Sequence, residues 1–176
     1  MNWILFAIAG SVAQLIDGAL GMGFGLTSST LLLTLGASAA VASAAVHAAE
    51  IGTTLVSGVS HWHAENIDKD VLIRLAIPGG IGALLGATFL SSIDLSASKI
   101  FVSTLLLFLG FLLLYRNLFQ TPNTQQAEST SNPRFLTFLG FSGGFVDAAG
   151  GGGWGPVVTP TLMTATNMTP RKIIGT

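Results

Sequence analysis

The sequence predicts an all-α, polytopic membrane protein, organised as an inverted repeat whose leading helices break at glycines and re-enter. Three observations carry this reading. Only 9% of the 176 residues are charged and 50% are hydrophobic, whereas a soluble domain carries about 25% charge. Long runs hold no charge at all: residues 1–16, residues 75–93 between Arg74 and Asp94, and residues 100–115 between Lys99 and Arg116. Each approaches the ~17–25 residues that cross a hydrocarbon core as a helix. An acid-headed, glycine-rich segment also occurs twice, as Asp17-Gly-Ala-Leu-Gly-Met-Gly-Phe-Gly25 and as Asp147-Ala-Ala-Gly-Gly-Gly-Gly-Trp-Gly155. A membrane β-barrel would alternate polar and apolar residues in ~10-residue segments, and these runs do not alternate.

The two copies share one register. A shift of 130 positions lays Asp17 on Asp147, Gly21 on Gly151, Gly23 on Gly153 and Gly25 on Gly155, then Leu32 on Leu162 and Thr34 on Thr164. The first segment, residues 2–36, is too long for one straight span at ~1.5 Å per residue across a ~30 Å core. Glycines at its centre are poor helix formers. It therefore predicts two helices, over 2–17 and 26–36, around an unwound turn. The second segment, 39–60, is rich in Ala, Ser and Val, small residues that let helices approach in lipid. The third, 71–93, has Pro78-Gly79-Gly80 as a kink or a late start. Its Gly82 and Gly86, four apart, mark a close-packing face. The fourth, 98–118, is rich in Leu and Phe and is expected to face lipid. The fifth, 135–165, repeats the first.

Three domains follow: a first transmembrane repeat over 1–119, a polar linker over 120–134, and the start of a second repeat over 135–176. The linker is rich in Gln, Asn, Ser and Thr and bounded by prolines. The chain reaches Thr176 where the register corresponds to Val46. The second repeat is therefore expected to be incomplete and the chain to be a fragment of a longer protein. Met1-Asn2-Trp3 lacks the positive head of a signal peptide.

Basic residues favour the broken hairpin. If both glycine segments return to the side they enter from, Lys69, Arg74, Arg116, Arg134, Arg171 and Lys172 share one side and only Lys99 lies opposite. Straight spans would split them four against three. The positive-inside rule selects the hairpin. It places the 61–70 loop and the linker in the cytoplasm and inverts the second repeat relative to the first. Inverted repeats are common in transporters, and antiparallel channels and some membrane enzymes share them.

Composition excludes several classes. The net charge of −1 gives no basic footprint for nucleic acid. The absence of cysteine removes disulfides, thiol catalysis and thiolate metal sites. No Gly-x-x-x-x-Gly-Lys-Ser/Thr loop is present, so no nucleotide is implied. The chain is expected to use no cofactor, to carry no catalytic residue and not to be an enzyme.

The candidate site residues follow from what is costly at membrane depth. An unwound helix exposes N–H groups, and the next helix points its positive end at the break. Such backbone must be buried in protein or line a watery cavity. Gly21, Gly23 and Gly25 with Gly151, Gly152, Gly153 and Gly155 are candidates to hold an oxyanion; close packing or a hinge is the alternative. Ser28, Ser29 and Thr30, and Thr159 and Thr161, could donate hydroxyls to it or bond back to their own helices. Asp17 and Asp147 read foremost as caps of the turns, otherwise as holders of a coupling cation. His47 and Glu50, three apart on one helix face, are ionisable groups inside a span. They are candidates for coupling or gating, or else a polar pair that glues helices. His61, His63 and Glu65 form a loop cluster that is a weak metal candidate or a solvated turn with Trp62 at the interface. Pro156 and Pro160 fit the first turn of a restarting helix.

The second copy, Gly143-Gly-Phe-Val-Asp-Ala-Ala-Gly-Gly-Gly-Gly-Trp-Gly-Pro-Val-Val-Thr-Pro160, resembles the TauE/SafE family of membrane permeases. The first copy with Ala-Ser-Ala-Ala-Val-His-Ala-Ala-Glu50, and the loop from Ser57 to Asp68, resemble the corresponding N-terminal half. The resemblance implies a multi-pass inner-membrane carrier that moves a small anion such as sulfite or a sulfonate by alternating access. Proton or Na+ is the expected coupling ion, and a homo-oligomer is possible. Many members carry an amide or lysine where this chain has His47-Ala-Ala-Glu50, which implies a protonatable or ion-coupling position. A second reading is an intramembrane metal-binding protein or metal permease using His47, Glu50, His61 and His63. A third is an inactive half-protein.

Overall fold

The computed structural model describes residues 3–20, 23–119, 132–152 and 154–176. These residues form eight helices and no strand: α1 Trp3–Leu20, α2 Phe24–Thr34, α3 Ala39–His63, α4 Lys69–Ser92, α5 Leu95–Phe119, α6 Pro133–Gly150, α7 Trp154–Ala165 and α8 Pro170–Gly175. Residues 39–63, 69–92 and 95–115 are long and apolar enough to cross a membrane. α2, with 11 residues, reaches only about 16 Å and cannot cross alone. Large apolar side chains point outward along α4, α5 and α6, among them Leu84, Leu107, Phe111 and Phe138. That is the surface of a polytopic membrane protein, since lipid and not water suits such faces.

Both glycine segments break, as expected, into two helices. Each glycine segment opens with an 18-residue helix, α1 and α6, followed by a short one, α2 and α7. The first break comes later than the sequence predicts. α1 continues through Asp17 to Leu20, because the acid does not end its own helix but reaches forward to the next. Most of the linker, residues 120–131, lies outside the described residues. α6 starts after it, with Asn132 Oδ1 accepting from Arg134 N at 3.0 Å and Pro133 in the first turn.

α4 corrects one expectation. It does not start late at Pro78 but runs unbroken from Lys69, where Asp68 Oδ1 accepts from Asp70 N and Val71 N. A proline inside a helix removes one backbone bond. Here the helix is held by a close neighbour. A methyl group on Gly82 or Gly86 would overlap the carbonyls of Phe141 and Phe145, and one on Gly140 or Gly144 those of Leu75 and Gly79. The four-residue spacing of glycines on both helices lets α4 and α6 pack backbone to backbone. Pro160 likewise sits inside α7, past its first turn, while Pro156 keeps the expected place. α5 is not wholly lipid-facing: Ser98, Val102, Leu106 and Leu109 are buried along one stripe.

Two cores result. Val71 and Leu75 of α4 pack with Leu136 and Leu139 of α6, Val158 and Leu162 of α7 and Ile173 of α8. Leu33 of α2 packs with Ala39, Ala42, Leu90, Val102 and Leu106. The two glycine segments then part company. The face of α6 and α7 that holds Leu139, Trp154, Val158 and Leu162 is covered by α4. The register-equivalent residues Ala9, Phe24, Ser28 and Leu32 instead line an open, largely apolar groove of about 710 Å³.

Candidate functional site

The site starts from the two breaks. Gly23 (φ 122°) and Gly151 (φ 75°) take left-handed backbone that a side chain would strain. No side chain of the N-cap residue itself caps α2. Instead Asp17 Oδ1 accepts from Phe24 N at 3.0 Å, and Asp147 Oδ1 accepts from Trp154 N at 2.9 Å. Both bonds span seven residues and carry the favourable pairing of a carboxylate with a helix N-terminus. The capping geometry expected of these acids is present in both glycine segments.

The breaks meet each other. A Cβ on Gly25 would lie 2.6 Å from Gly152 Cα and 2.9 Å from the Gly151 oxygen, and one on Gly152 would overlap the backbone of Gly25 and Leu26. Hydroxyls fasten the crossing. Ser29 Oγ donates to the Gly151 oxygen at 2.5 Å, and Ser43 Oγ donates to the Ala148 oxygen at 3.0 Å. These are carbonyls at the end of α6, where the helix has no partner of its own to offer.

α3 brings the ionisable pair to the same point. His47 Nδ1 is 3.0 Å from Glu50 Oε2 and 3.9 Å from Asp147 Oδ2. Glu50 Oε1 lies 3.2 Å from where a Gly25 Cβ would stand. The three side chains retain 32%, 26% and 19% exposure, so they are reachable rather than sealed. His47 Nε2 is buried with no hydrogen-bond partner. Below them opens a cavity of about 620 Å³ that Asp17, Glu50 and Asp147 line together with Gly23, Gly25, Gly152, Gly155 and Thr159. Among the described residues no Lys or Arg lines it.

Several expected residues lie elsewhere. Gly21 and Gly153 fall outside the described residues. Gly151 is buried at the crossing, beneath the Ser29 hydroxyl. Ser28 points away from the cavity into the apolar groove, and its hydroxyl is buried without a partner. Thr30 and Thr161 bond back to the carbonyls of Leu26 and Val157. His61 and His63 are not in a loop but in the last turn of α3. His61 lines the far end of the cavity beside Asn66, and His63 is exposed. Neither joins His47 and Glu50; among the described residues the group close enough to share a metal ion is His47, Glu50 and Asp147.

Sequence reasoning passed over Ser43, Thr53, Thr54 and Ser57. A signal for two of them, Thr54 and Ser57, was available. His47, Glu50, Thr54, Ser57 and His61 follow at steps of three and four, which is one helix face, and from Glu50 onward that face lines the cavity together with Thr53.

Comparison with known proteins agrees with this architecture. The family model "Sulfite exporter TauE/SafE" matches residues 6–176. The chain is 49% identical over 174 residues to "Probable membrane transporter protein YtnM" of Bacillus subtilis (strain 168), covering 98% of this chain and 58% of that relative. The chain thus spans less than two thirds of the length of the relative it matches. No solved structure matches it. With a family match along almost its whole length, over a polytopic helical framework, the chain belongs to the TauE/SafE family.

Proposed function

We propose that this chain forms the substrate-cavity part of a secondary transporter of a small anion, a sulfur oxyanion such as sulfite or an organosulfonate. The observation that carries the proposal is the meeting of the α2 and α7 N-termini, backbone to backbone, on one cavity. Each first turn holds N–H groups with no intrahelical partner, and an aspartate takes one of them. The positive helix ends and the hydroxyl of Thr159 offer an anion hydrogen bonds without a cationic side chain. Broken helices that present their ends to a cavity at mid-membrane are how many carriers bind substrate. The family's own description supplies the sulfur chemistry.

In this reading the two repeats are related by inversion and rock about the Gly25–Gly152 crossing to alternate access. His47 and Glu50 couple or gate the movement. The protein lies in the cell's inner membrane with the connection between α3 and α4, residues 64–68, cytoplasmic, as its basic residues favour. The test is uptake of 35S-sulfite into proteoliposomes of purified protein. Saturable flux that unlabelled sulfite or taurine competes away is expected; flux no greater than in protein-free liposomes overturns the proposal.

A further inference from the structure

The cavity has a charge problem. Asp17, Glu50 and Asp147 all line it, and among the described residues no Lys or Arg does. An anion entering beside three acids is repelled unless positive charge is held there. The structure gathers the means to hold it at one point. His47, Glu50 and Asp147 each offer a ligand atom within 4.8 Å of the others, and His47 Nδ1 stands 3.0 Å from Glu50 Oε2 and 3.9 Å from Asp147 Oδ2. Ligand atoms bound at about 2.0–2.2 Å to a zinc-type ion stand roughly 3–4 Å apart; both distances from the imidazole nitrogen fall in that range, and the two carboxylates need only close together from within 4.8 Å. An imidazole among carboxylates suits zinc, nickel or cobalt, whereas magnesium and calcium prefer oxygen alone.

We infer that His47, Glu50 and Asp147 form a binding site for a divalent transition cation, with the remaining coordination position turned to the cavity. Glu50 and Asp147 both line that cavity, so water or an oxyanion can complete the shell there. The ligands come from both repeats, His47 and Glu50 from α3 and Asp147 from α6. A bound ion therefore ties the first repeat to the second at the crossing. The ion site stands on its own geometry; only its role in receiving the anion rests on the transport reading.

The experiment is Co2+ titration of purified, chelator-stripped protein in detergent, read by visible absorption, with Zn2+ competition followed by calorimetry. One ion per chain is expected, with the absorption of a nitrogen–oxygen ligand set. His47→Ala and Glu50→Gln should each weaken binding at least about tenfold. Asp147→Asn keeps an oxygen for the α7 cap and should weaken it likewise. The double variant H61A/H63A should bind as wild type. No saturable binding, or binding that survives His47→Ala and vanishes in H61A/H63A, overturns the site. Sulfite flux on the same preparation separates the two readings: ion binding without flux defeats only the transport proposal, and flux without ion binding defeats only the ion site.

Discussion

Gly25 and Gly152 touch backbone to backbone, one from each glycine segment, with no room for a side chain on either. Everything assigned to the cavity converges on this contact. Glu50 lies against Gly25, and the Ser29 hydroxyl holds the carbonyl beside Gly152. A methyl group here must push two helices apart, which costs about 1–3 kcal/mol in a packed interior. Gly152→Ala is therefore expected to lower the melting temperature in detergent. Gly52→Ala is the control, because a Cβ there meets nothing within 4 Å, and replacing a helical glycine gains up to about 1 kcal/mol. Equal melting temperatures for the two variants would show that the crossing tolerates separation.

The aspartates offer a cleaner separation of roles. Asp17 accepts from Phe24 N, a task that an asparagine oxygen can also perform. A cap is lost with Asp17→Ala, at about 1 kcal/mol. The expected order of thermal stability is wild type, then Asp17→Asn slightly below, then Asp17→Ala clearly lowest, with the same order at Asp147 for the α7 cap. If Asp17→Asn melts as low as Asp17→Ala, the negative charge matters more than the hydrogen bond.

How much of this was legible in the sequence depends on the range of the physics involved. The breaks were, because glycine clusters in a segment too long to span act locally. The α4 face of Gly82 and Gly86 was also legible, from spacing alone. The phase of a helix restarting after a break was not. Ser28 and Ser29 are neighbours with the same side chain, yet one turns to the apolar groove and the other to the crossing. A helix rotates about 100° per residue, so an error of one or two residues in where α2 begins exchanges their roles. The arrival of Asp147 beside His47 was not legible either. A carboxylate one hundred residues away in the chain gives no local sign that it shares a site. The late start offered at Pro78 is absent for a related reason: the tertiary contact of α4 with α6 holds the helix through a local breaker.

The two serines give a third prediction. Ser28 Oγ is buried without a partner, so Ser28→Ala removes an unsatisfied group and is expected to be neutral or mildly stabilising. Ser29→Ala deprives the Gly151 carbonyl of its hydroxyl donor and is expected to cost about 1 kcal/mol. Because Ser28 lies off the cavity, the KM for sulfite should not change in Ser28→Ala. A raised KM there would return Ser28 to the substrate site.

Glu50 is where the transport reading can be tested most directly. Its carboxylate meets His47 at 3.0 Å, lines the cavity and abuts the crossing. Three contacts at one carboxylate let its charge respond to substrate, to the imidazole and to the position of the second repeat together. Glu50→Gln keeps the size and one hydrogen-bonding oxygen but removes the negative charge beside the His47 imidazole. Packing should survive, so a normal melting temperature is expected. Sulfite flux, measured in zinc-free buffer to keep the proton separate from any bound cation, should then lose most of its variation between about pH 5 and pH 8, the range over which an imidazole exchanges its proton. Flux at the least active pH of the wild type should change little, because the variant fixes one state rather than blocking the path. A Glu50→Gln protein whose flux rises and falls with pH as the wild type does would remove Glu50 from coupling and leave it a polar tie between α3 and the crossing.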